Sequence, residues 1–148
     1  MKNYFQAKVK YAKIMDNGHV KTVFEPYLVD AVNFADTEKR VTYEVMPFTR
    51  GWIDIIEIKK ATYSEVVQTT EKSAFFYYEC KLQFITLDEQ SSKETKTTQT
   101  ILVQAASVDD ASNKVEQHMK GSMMEYTKVS VKETKIVDIF NYDYENHE

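Results

Sequence analysis

The sequence predicts an α+β fold: an internal duplication of a β-β-α-β unit that forms one pseudo-twofold domain. Apolar residues of the first half recur 73 positions later in the same order, so that Phe5, Ala7, Val9 and Tyr11 match Tyr78, Cys80, Leu82 and Phe84. The segment Tyr-Leu-Val-Asp-Ala at residues 27–31 matches Ile-Leu-Val-Gln-Ala at residues 101–105. A repeat of this length is a whole supersecondary unit, and two copies normally pack around a shared core.

The repeats set the predicted domain organisation of the 148-residue chain. We expect a single domain over residues 1–148, with repeats at residues 4–67 and 77–140 that are joined by a polar linker, residues 68–76. Residues 141–148 are polar and lack periodicity, which is typical of a flexible tail. A chain of this length is long enough to bury one core.

Each repeat opens with two strands. In the first half, apolar residues alternate with Gln6, Lys8 and Lys10, which predicts a half-buried strand. Residues 16–18 (Asp-Asn-Gly) tolerate positive φ, so we expect the chain to turn there and return as a second strand. Pro26 has no amide N–H, which places the return strand at a sheet edge or at a bulge. A polar stretch, residues 88–96, predicts a longer turn in the second half.

A helix and a third strand follow in both halves. Asn33 and Ser107 are predicted N-cap residues, each three positions before an aspartate that favours the positive end of the helix dipole. Pro47 ends the first helix and Gly121 ends the second. The later apolar segments predict third strands at 53–58 and 127–131, and a further strand or helical turn at 63–67 and 136–140.

Composition and charge exclude several protein classes. Hydrophobic residues make up 43% of the chain, which is too many for a disordered protein. The sequence lacks an apolar run of about twenty residues, so we expect no membrane span. A net charge of −4 argues against broad nucleic-acid binding, which depends on many Lys and Arg contacts. The first residues show no signal-peptide pattern, and we predict a cytoplasmic protein.

Few residues suggest catalysis or metal binding. The three histidines lie in unrelated contexts, and the one cysteine, Cys80, falls on an apolar strand face where packing is expected. No His or Cys pair has zinc-ligand spacing, and three glycines are too few for a phosphate-binding loop. We therefore predict no metal, no cofactor and no catalytic residue. A magnesium-dependent nuclease is a remaining alternative, and its candidate residues are four carboxylates, Asp30, Glu57, Asp88 and Glu89.

The two helix-to-strand loops are the first candidate binding site. Residues 47–52 (Pro-Phe-Thr-Arg-Gly-Trp) and 119–124 (Met-Lys-Gly-Ser-Met-Met) both combine a cation, a glycine and a hydroxyl. A cation beside backbone N–H groups and an indole is suited to a phosphate and a stacked base. The predicted ligand-binding residues are Arg50, Trp52, Lys120 and Ser122. The plainer interpretation is a helix cap followed by core aromatics.

Cations on the polar strand faces form a second candidate. They are Lys8, Lys10 and Lys81, together with Lys59 and Lys60 on the third strand. If these strands are neighbours in one sheet, the charges sum to a local positive field, and Lys59 and Lys60 support the ligand site. The alternative interpretation is a strand face that only maintains solubility.

Five segments resemble an uncharacterised family of small proteins that carry a domain of unknown function. They are residues 27–31, 54–65, 84–89, 102–105 and 119–123. They follow the order of the family along nearly the whole chain. The resemblance implies an origin in certain gut bacteria and their phages, and it implies no established activity and no catalytic residue.

The sequence favours a non-enzymatic binding protein whose ligand is a small anion-bearing molecule such as a nucleotide. The phage context that the resemblance implies suggests a counter-defence role, in which the protein sequesters a nucleotide messenger in the host cytoplasm. The runner-up is a protein-interaction or inhibitor module, whose partner is a host protein or another copy of the chain. A magnesium nuclease is third.

Overall fold

The structure, a computed structural model, describes residues 2–141, which divide into two compact units. Unit 1 contains the residues up to Ala61 and those from Lys135 onward, and unit 2 is Thr62–Thr134. The α+β class is confirmed, because each unit combines a four-stranded sheet with a helix. The single-domain organisation stays a prediction. Residues 142–148, which make up nearly all of the predicted tail, lie outside the described residues.

The described residues form eight strands and two α-helices, with a short 3-10 helix at Met46–Phe48. In chain order they are β1 (Tyr4–Ile14), β2 (Val20–Asp30), α1 (Phe34–Val45), β3 (Thr49–Lys60), β4 (Glu65–Val67), β5 (Phe76–Leu87), β6 (Glu94–Ala105), α2 (Val108–His118), β7 (Glu125–Glu133) and β8 (Asp138–Phe140). The predicted third strands are present but longer than expected.

Unit 1 has the strand order β3-β1-β2-β8. The central strand β1 pairs antiparallel with β2 and β3, and β8 adds to β2 in parallel. Alternation along β1 turns Phe5, Val9 and Tyr11 toward the core, where they are buried with Val41 of α1, as the sequence predicts.

Unit 2 has the corresponding strand order β4-β6-β5-β7, with α2 over one face. Tyr78, Leu82 and Phe84 of β5 are buried with Val115 of α2, again as predicted. The buried residues that contact the two helices form two hydrophobic clusters, one in each unit. Helix α1 packs on the sheet of unit 1, and helix α2 packs on the sheet of unit 2.

The two predicted helix starts are confirmed. Asn33 Oδ1 accepts the N–H of Asp36 at 2.8 Å, and Ser107 Oγ accepts the N–H of Asp110 at 3.1 Å. Both aspartates also accept an N–H from the residue that precedes the cap, Val32 or Ala106. These bonds satisfy amide groups that the first helical turn leaves without partners.

The hairpin and the proline behave as the sequence indicates. Gly18 has a φ of +83° in the turn between β1 and β2. The β1–β2 pairing continues without a shift through Lys8 and Pro26, and the parallel pairing with β8 begins at Tyr27. Pro26 therefore lies directly before the residues of β2 that pair with β8. At this position its missing N–H costs no hydrogen bond to β8.

The two short apolar segments are strands, and each adds to the sheet of the unit that it enters. Strand β4, which follows β3 of unit 1, pairs with β6 in unit 2. Strand β8, which follows β7 of unit 2, pairs with β2 in unit 1. Each sheet is thus completed by a short strand that follows the third strand of the other sheet. Residues 68–75, which lie within the predicted linker, connect β4 to β5 inside unit 2.

Candidate anion-binding site

A cleft of about 350 Å³ lies on the sheet of unit 1, on the face that points away from α1. We call it the lysine cleft. Its walls are Gln6, Lys8, Phe24, Pro26, Glu57, Lys59 and Lys135. Strand alternation explains this face, because the neighbours of Gln6 and Lys8 along β1 are core residues.

The strand register brings the cleft residues together. On β1, Gln6 lies opposite Lys59 of β3, and Lys8 lies between Pro26 of β2 and Glu57 of β3. Residues that face each other across paired strands project to the same side of the sheet, so these side chains share one surface. Lys135 reaches the cleft from the segment that precedes β8.

The cations of the cleft are available to a ligand. Lys8, Lys59 and Lys135 are exposed, and within residues 2–141 none of their ammonium groups takes part in an ion pair. Among the described residues that line the cleft, Glu57 is the one carboxylate. The cleft therefore has a positive balance of charge in a chain whose net charge is −4.

An aromatic pair lies at one end of the same face. Lys10 Nζ is 5.3 Å from the ring centroid of Phe24 and 5.8 Å from that of Trp52. Phe24 is 56% exposed and Trp52 is 45% exposed, so both rings retain free surface. Cation–π contacts of this kind hold the Lys10 ammonium close to the sheet, beside the row that contains Lys8.

The predicted site residues are distributed over both units. Arg50, Trp52, Lys59 and Lys60 belong to β3 in unit 1, whereas Lys120 and Ser122 belong to the turn after α2 in unit 2. Arg50 is exposed beside Gly51, whose φ of +117° interrupts the regular strand.

The turn after α2 has hydrogen bonds of its own. The Lys120 N–H donates to the Gln117 carbonyl at 3.2 Å, and the Ser122 N–H donates to the Met119 carbonyl at 3.0 Å. Ser122 Oγ accepts the N–H of Met124 at 3.3 Å. This turn resembles an ordinary helix end, which is the plainer of the two interpretations that the sequence allowed.

The sheet separates two lysines that the sequence analysis placed together. Lys59 pairs with Gln6 and lines the cleft, but Lys60 pairs with the core residue Phe5 and therefore projects to the helix side. Neighbouring residues on a strand point to opposite faces, so the two ammonium groups cannot share one surface. Lys81, the third strand cation considered with them, lies in unit 2.

Two cleft residues were missed in the sequence. Phe24 was detectable, because the turn at residues 16–18 sets a register in which Lys10 lies opposite Phe24. Lys135 had no local signal. It reaches the cleft only because β8 pairs with a strand more than a hundred positions earlier in the chain.

The corresponding face of the sheet in unit 2 also has lysines, but their neighbours are mostly threonine and serine. Lys81 of β5 lies between Thr100 and Ser130, and Gln83 lies between Thr98 and Thr127. The positions that Phe24 and Pro26 occupy in unit 1 are thus threonines in unit 2. The combination of cations with aromatic and apolar walls is specific to unit 1.

A second concavity, a groove of about 620 Å³, runs along α1. Lys39, Arg40 and Tyr43 of the helix line it, together with Met46 at the start of the 3-10 helix and Phe140 of β8. Tyr43 and Met46 are mostly exposed, whereas Arg40 Nε donates to Asp36 at 2.8 Å. The groove combines apolar walls with charges of both signs.

A polar cluster is enclosed inside unit 1. Glu25 Oε2 accepts hydrogen bonds from the hydroxyls of Tyr11 and Tyr27, and Glu25 Oε1 accepts one from Lys13 at 2.9 Å. Burial, opposed in part by the Tyr27 hydroxyl and assisted by Glu25, raises the pKa of Tyr11 to about 12. Burial favours a higher pKa for the Glu25 carboxyl, but the hydrogen bonds from Tyr27, Tyr11 and Lys13 outweigh burial and lower the pKa. The cluster is satisfied, which indicates a structural role.

The described residues contain neither a metal-ligand cluster nor a membrane-spanning helix. Within the part of the chain that the structure describes, no three His, Cys, Asp or Glu side chains come together as a metal site. None of the described helices has both the length and the apolar character needed to cross a bilayer. The carboxylates named for a nuclease thus form no ligand cluster in residues 2–141.

Comparison with known proteins gives a family and nothing more specific. No curated protein and no solved structure matches the chain significantly. A family model described as "Domain of unknown function (DUF4494)" matches residues 3–142. Since that match spans nearly the whole chain, the protein belongs to this family of domains of unknown function.

Proposed function

We propose that the protein is a non-enzymatic binding protein that holds a small anionic ligand in the lysine cleft. The observation that supports this most directly is the convergence on one cleft of three ammonium groups, those of Lys8, Lys59 and Lys135, that form no ion pair within residues 2–141. A charge-assisted hydrogen bond to phosphate or carboxylate is worth roughly 1.5–3 kcal/mol, and the cleft presents three ammonium groups that can donate one.

A nucleotide fits the same surface better than an inorganic anion does. Phosphate oxygens are complementary to the lysines, and a planar base can stack on the exposed face of Phe24 or Trp52, where stacking contributes about 1–3 kcal/mol. Glu57 is the acceptor in the cleft for a ligand N–H. Sequestration of a nucleotide messenger, a counter-defence role for a phage and a cytoplasmic location are parts of this proposal.

Calorimetric titration of the full chain with nucleotides, inorganic phosphate and sugar phosphates tests the proposal. We expect a nucleotide to bind, and Lys8→Ala, Lys59→Ala and Lys135→Ala each to weaken binding by about tenfold or more. The matched controls are Lys81→Ala and Lys132→Ala, exposed strand lysines of unit 2 that lie outside the cleft. Equal effects of both sets, or no heat with any anion, would exclude the lysine cleft as the site.

The sequence-predicted residues enter the same experiment. Arg50→Ala, Lys120→Ala and Ser122→Ala separate the two candidate locations, because none of these side chains is among the cleft walls. A loss of affinity in Arg50→Ala and Lys120→Ala, with no effect of Lys59→Ala, would place the ligand at the helix-to-strand loops. Trp52→Phe preserves an aromatic ring and tests the contribution of the indole.

A protein-interaction module is the second candidate, and the groove along α1 favours it. Tyr43 and Met46 expose large apolar side chains beside Phe140, a composition found at contact surfaces. If this surface binds a host protein, Tyr43→Ala and Met46→Ala weaken that association and leave nucleotide titrations unchanged. Lys8→Ala is then the control that leaves the association unchanged.

The duplication itself is part of the proposal. We infer that the two units descend from one β-β-α-β ancestor and that a pseudo-twofold relation follows from it. The equal strand orders and the matching helix caps support this. Loss of the aromatic walls in unit 2, or their gain in unit 1, then left one copy with a binding face.

A further inference from the structure

Residues 135–140 complete the sheet of unit 1, and the same residues of a second copy could take their place. Residues 135–140, which we call the C-terminal arm, leave unit 2 and complete unit 1. Thr134 donates its N–H to the Tyr77 carbonyl of unit 2 at 2.8 Å, and Val137 donates its N–H to the Pro26 carbonyl of unit 1 at 2.9 Å. Only Lys135 and Ile136 lie between these two hydrogen bonds.

The arm makes a small but well-defined set of contacts with unit 1. Strand β8 pairs in parallel with residues 27–29, and Phe140 stacks on Tyr27 with ring centroids 5.0 Å apart. Asn141, directly after the arm, accepts hydrogen bonds from Tyr4 Oη at 2.9 Å and Lys2 Nζ at 3.1 Å. All of these partners belong to the part of unit 1 that precedes unit 2 in the chain.

We propose that the C-terminal arm exchanges between two copies of the chain, so that the arm of each copy completes unit 1 of the other. The exchanged dimer retains the pairing of β8 with β2 and the stack of Phe140 on Tyr27, because the same residues pair in the same register. Its free energy differs from that of two closed chains only through association and through the connector. Short connectors favour exchange, since they limit how the arm can fold back on its own chain.

Exchange has a consequence for the lysine cleft. Lys135 lies in the arm and also lines the cleft, so the partner copy contributes one cation to each cleft of the dimer. This consequence rests on the proposed function, whereas the exchange itself does not. An intramolecular arm acts at an effective concentration on the order of mM, so we expect exchange mainly in concentrated protein or after refolding.

A disulfide between the arm and unit 1 detects the exchange. Leu28 and Ile139 are partners in the β2–β8 register. Adjacent strands lie about 4.8 Å apart, which is within the Cα separation of about 4.4–6.8 Å that a disulfide requires. One full-length chain carries Leu28→Cys and a second, differently tagged chain carries Ile139→Cys. Both also carry Cys80→Ala, which removes the native thiol.

The two chains are unfolded in urea, mixed, refolded at low and high concentration, and oxidised. We expect a mixed disulfide-linked dimer whose yield rises with concentration. The chain with both cysteines is the control and forms the bond internally at low concentration. Closure of the control without any mixed dimer at high concentration would overturn the proposal.

Connector length provides a second measurement that needs no disulfide. Deletion of Lys135 shortens the connector, and we expect light scattering to find a larger dimer fraction than for Lys135→Ala, which has the unchanged length, at the same concentration. Insertion of Gly-Ser-Gly-Ser after Lys135 is expected to favour the monomer. A deletion variant that is folded and monomeric, or that stays unfolded at every concentration, would show that the arm is not exchanged. Neither measurement uses a ligand, so failure of the exchange is distinguishable from failure of the lysine cleft.

Discussion

Phe140 stacks on Tyr27, with ring centroids 5.0 Å apart and ring planes 19° apart. These residues are far apart in the chain, and their contact attaches β8 to the core of unit 1. Aromatic pairs in this arrangement stabilise beyond the area that they bury. The contact therefore links the end of the chain to the stability of its first unit.

The first prediction is that Phe140→Ala destabilises unit 1 by about 2 kcal/mol, which is less than for a fully buried Phe because the ring is half-buried. Urea unfolding followed by the fluorescence of Trp52, the only tryptophan, measures this in unit 1. Val67→Ala, which truncates the smaller side chain that β4 adds to unit 2, is the control, and its expected loss of about 1 kcal/mol is followed by circular dichroism because Trp52 lies in unit 1. An unchanged midpoint in Phe140→Ala would mean that the stacking contributes nothing.

The second prediction concerns a fragment. Unit 2 is the continuous segment Thr62–Thr134, which contains its four strands, α2 and its own hydrophobic cluster. We expect this fragment to fold alone, whereas residues 1–61 lack β8 and fold less completely. Dispersed amide signals in NMR spectra and a cooperative thermal transition are the measurements. A disordered Thr62–Thr134 fragment would show that unit 2 depends on the rest of the chain.

The third prediction is a loss of stability at alkaline pH. The pKa of Tyr11 is about 12 in the folded state against an ordinary value of 10.0, so the Tyr11 hydroxyl keeps its proton to a higher pH in the folded protein than in the unfolded chain. The stabilisation is complete below pH 10 and declines as pH rises toward 12. Unfolding free energies measured across this range test it. Tyr11→Phe is expected to be less sensitive to alkaline pH than the native chain.

The fourth prediction uses the same cluster at neutral pH. Glu25→Ala leaves the Tyr11 and Tyr27 hydroxyls without their acceptor, and we expect a loss of about 2 kcal/mol. Unit 2 has Phe84, Gln99 and Ile101 in the corresponding places on β5 and β6. The triple change Tyr11→Phe, Glu25→Ala and Tyr27→Phe removes the hydroxyl donors and their acceptor together, keeps the ring that stacks on Phe140, and is expected to cost less than Glu25→Ala alone. A costlier triple variant would contradict this.

The fifth prediction concerns acid. Burial favours a higher pKa for Asp36, but hydrogen bonds from Arg40 and from the Val32 N–H outweigh it and lower the pKa. Hydrogen bonds from the Ala106 N–H and from Lys114 likewise lower the pKa of Asp110. Their stabilisation is present above the ordinary value of 3.8 and is lost as pH falls through the lower folded-state pKa. Asp36→Asn is expected to cost about 1 kcal/mol at neutral pH and to unfold with a shallower acid dependence. Glu44→Gln, an exposed helix carboxylate, is the control with little effect.

Much of each unit was predictable from the sequence because its signals are local. Strand alternation, the glycine turn at residues 16–18 and the caps Asn33 and Ser107 depend on neighbours within a few positions. These signals predicted the α+β class and the burial of the β1, β5 and helix residues. They also place Lys8 and Lys59 on strands with polar faces, since side-chain direction follows directly from strand periodicity.

The tertiary structure decided which of those residues meet. The exchange of β4 and β8, the arrival of Lys135 at the cleft and the separation of Lys59 from Lys60 depend on pairing and register between distant segments. A three-residue strand has too little sequence pattern to specify its partner, because backbone hydrogen bonds are the same for every residue type. The sequence by itself thus determined the main strands, the helices and the helix-facing core residues of each unit, and only strand pairing determined which units the short strands complete and which cations share a cleft.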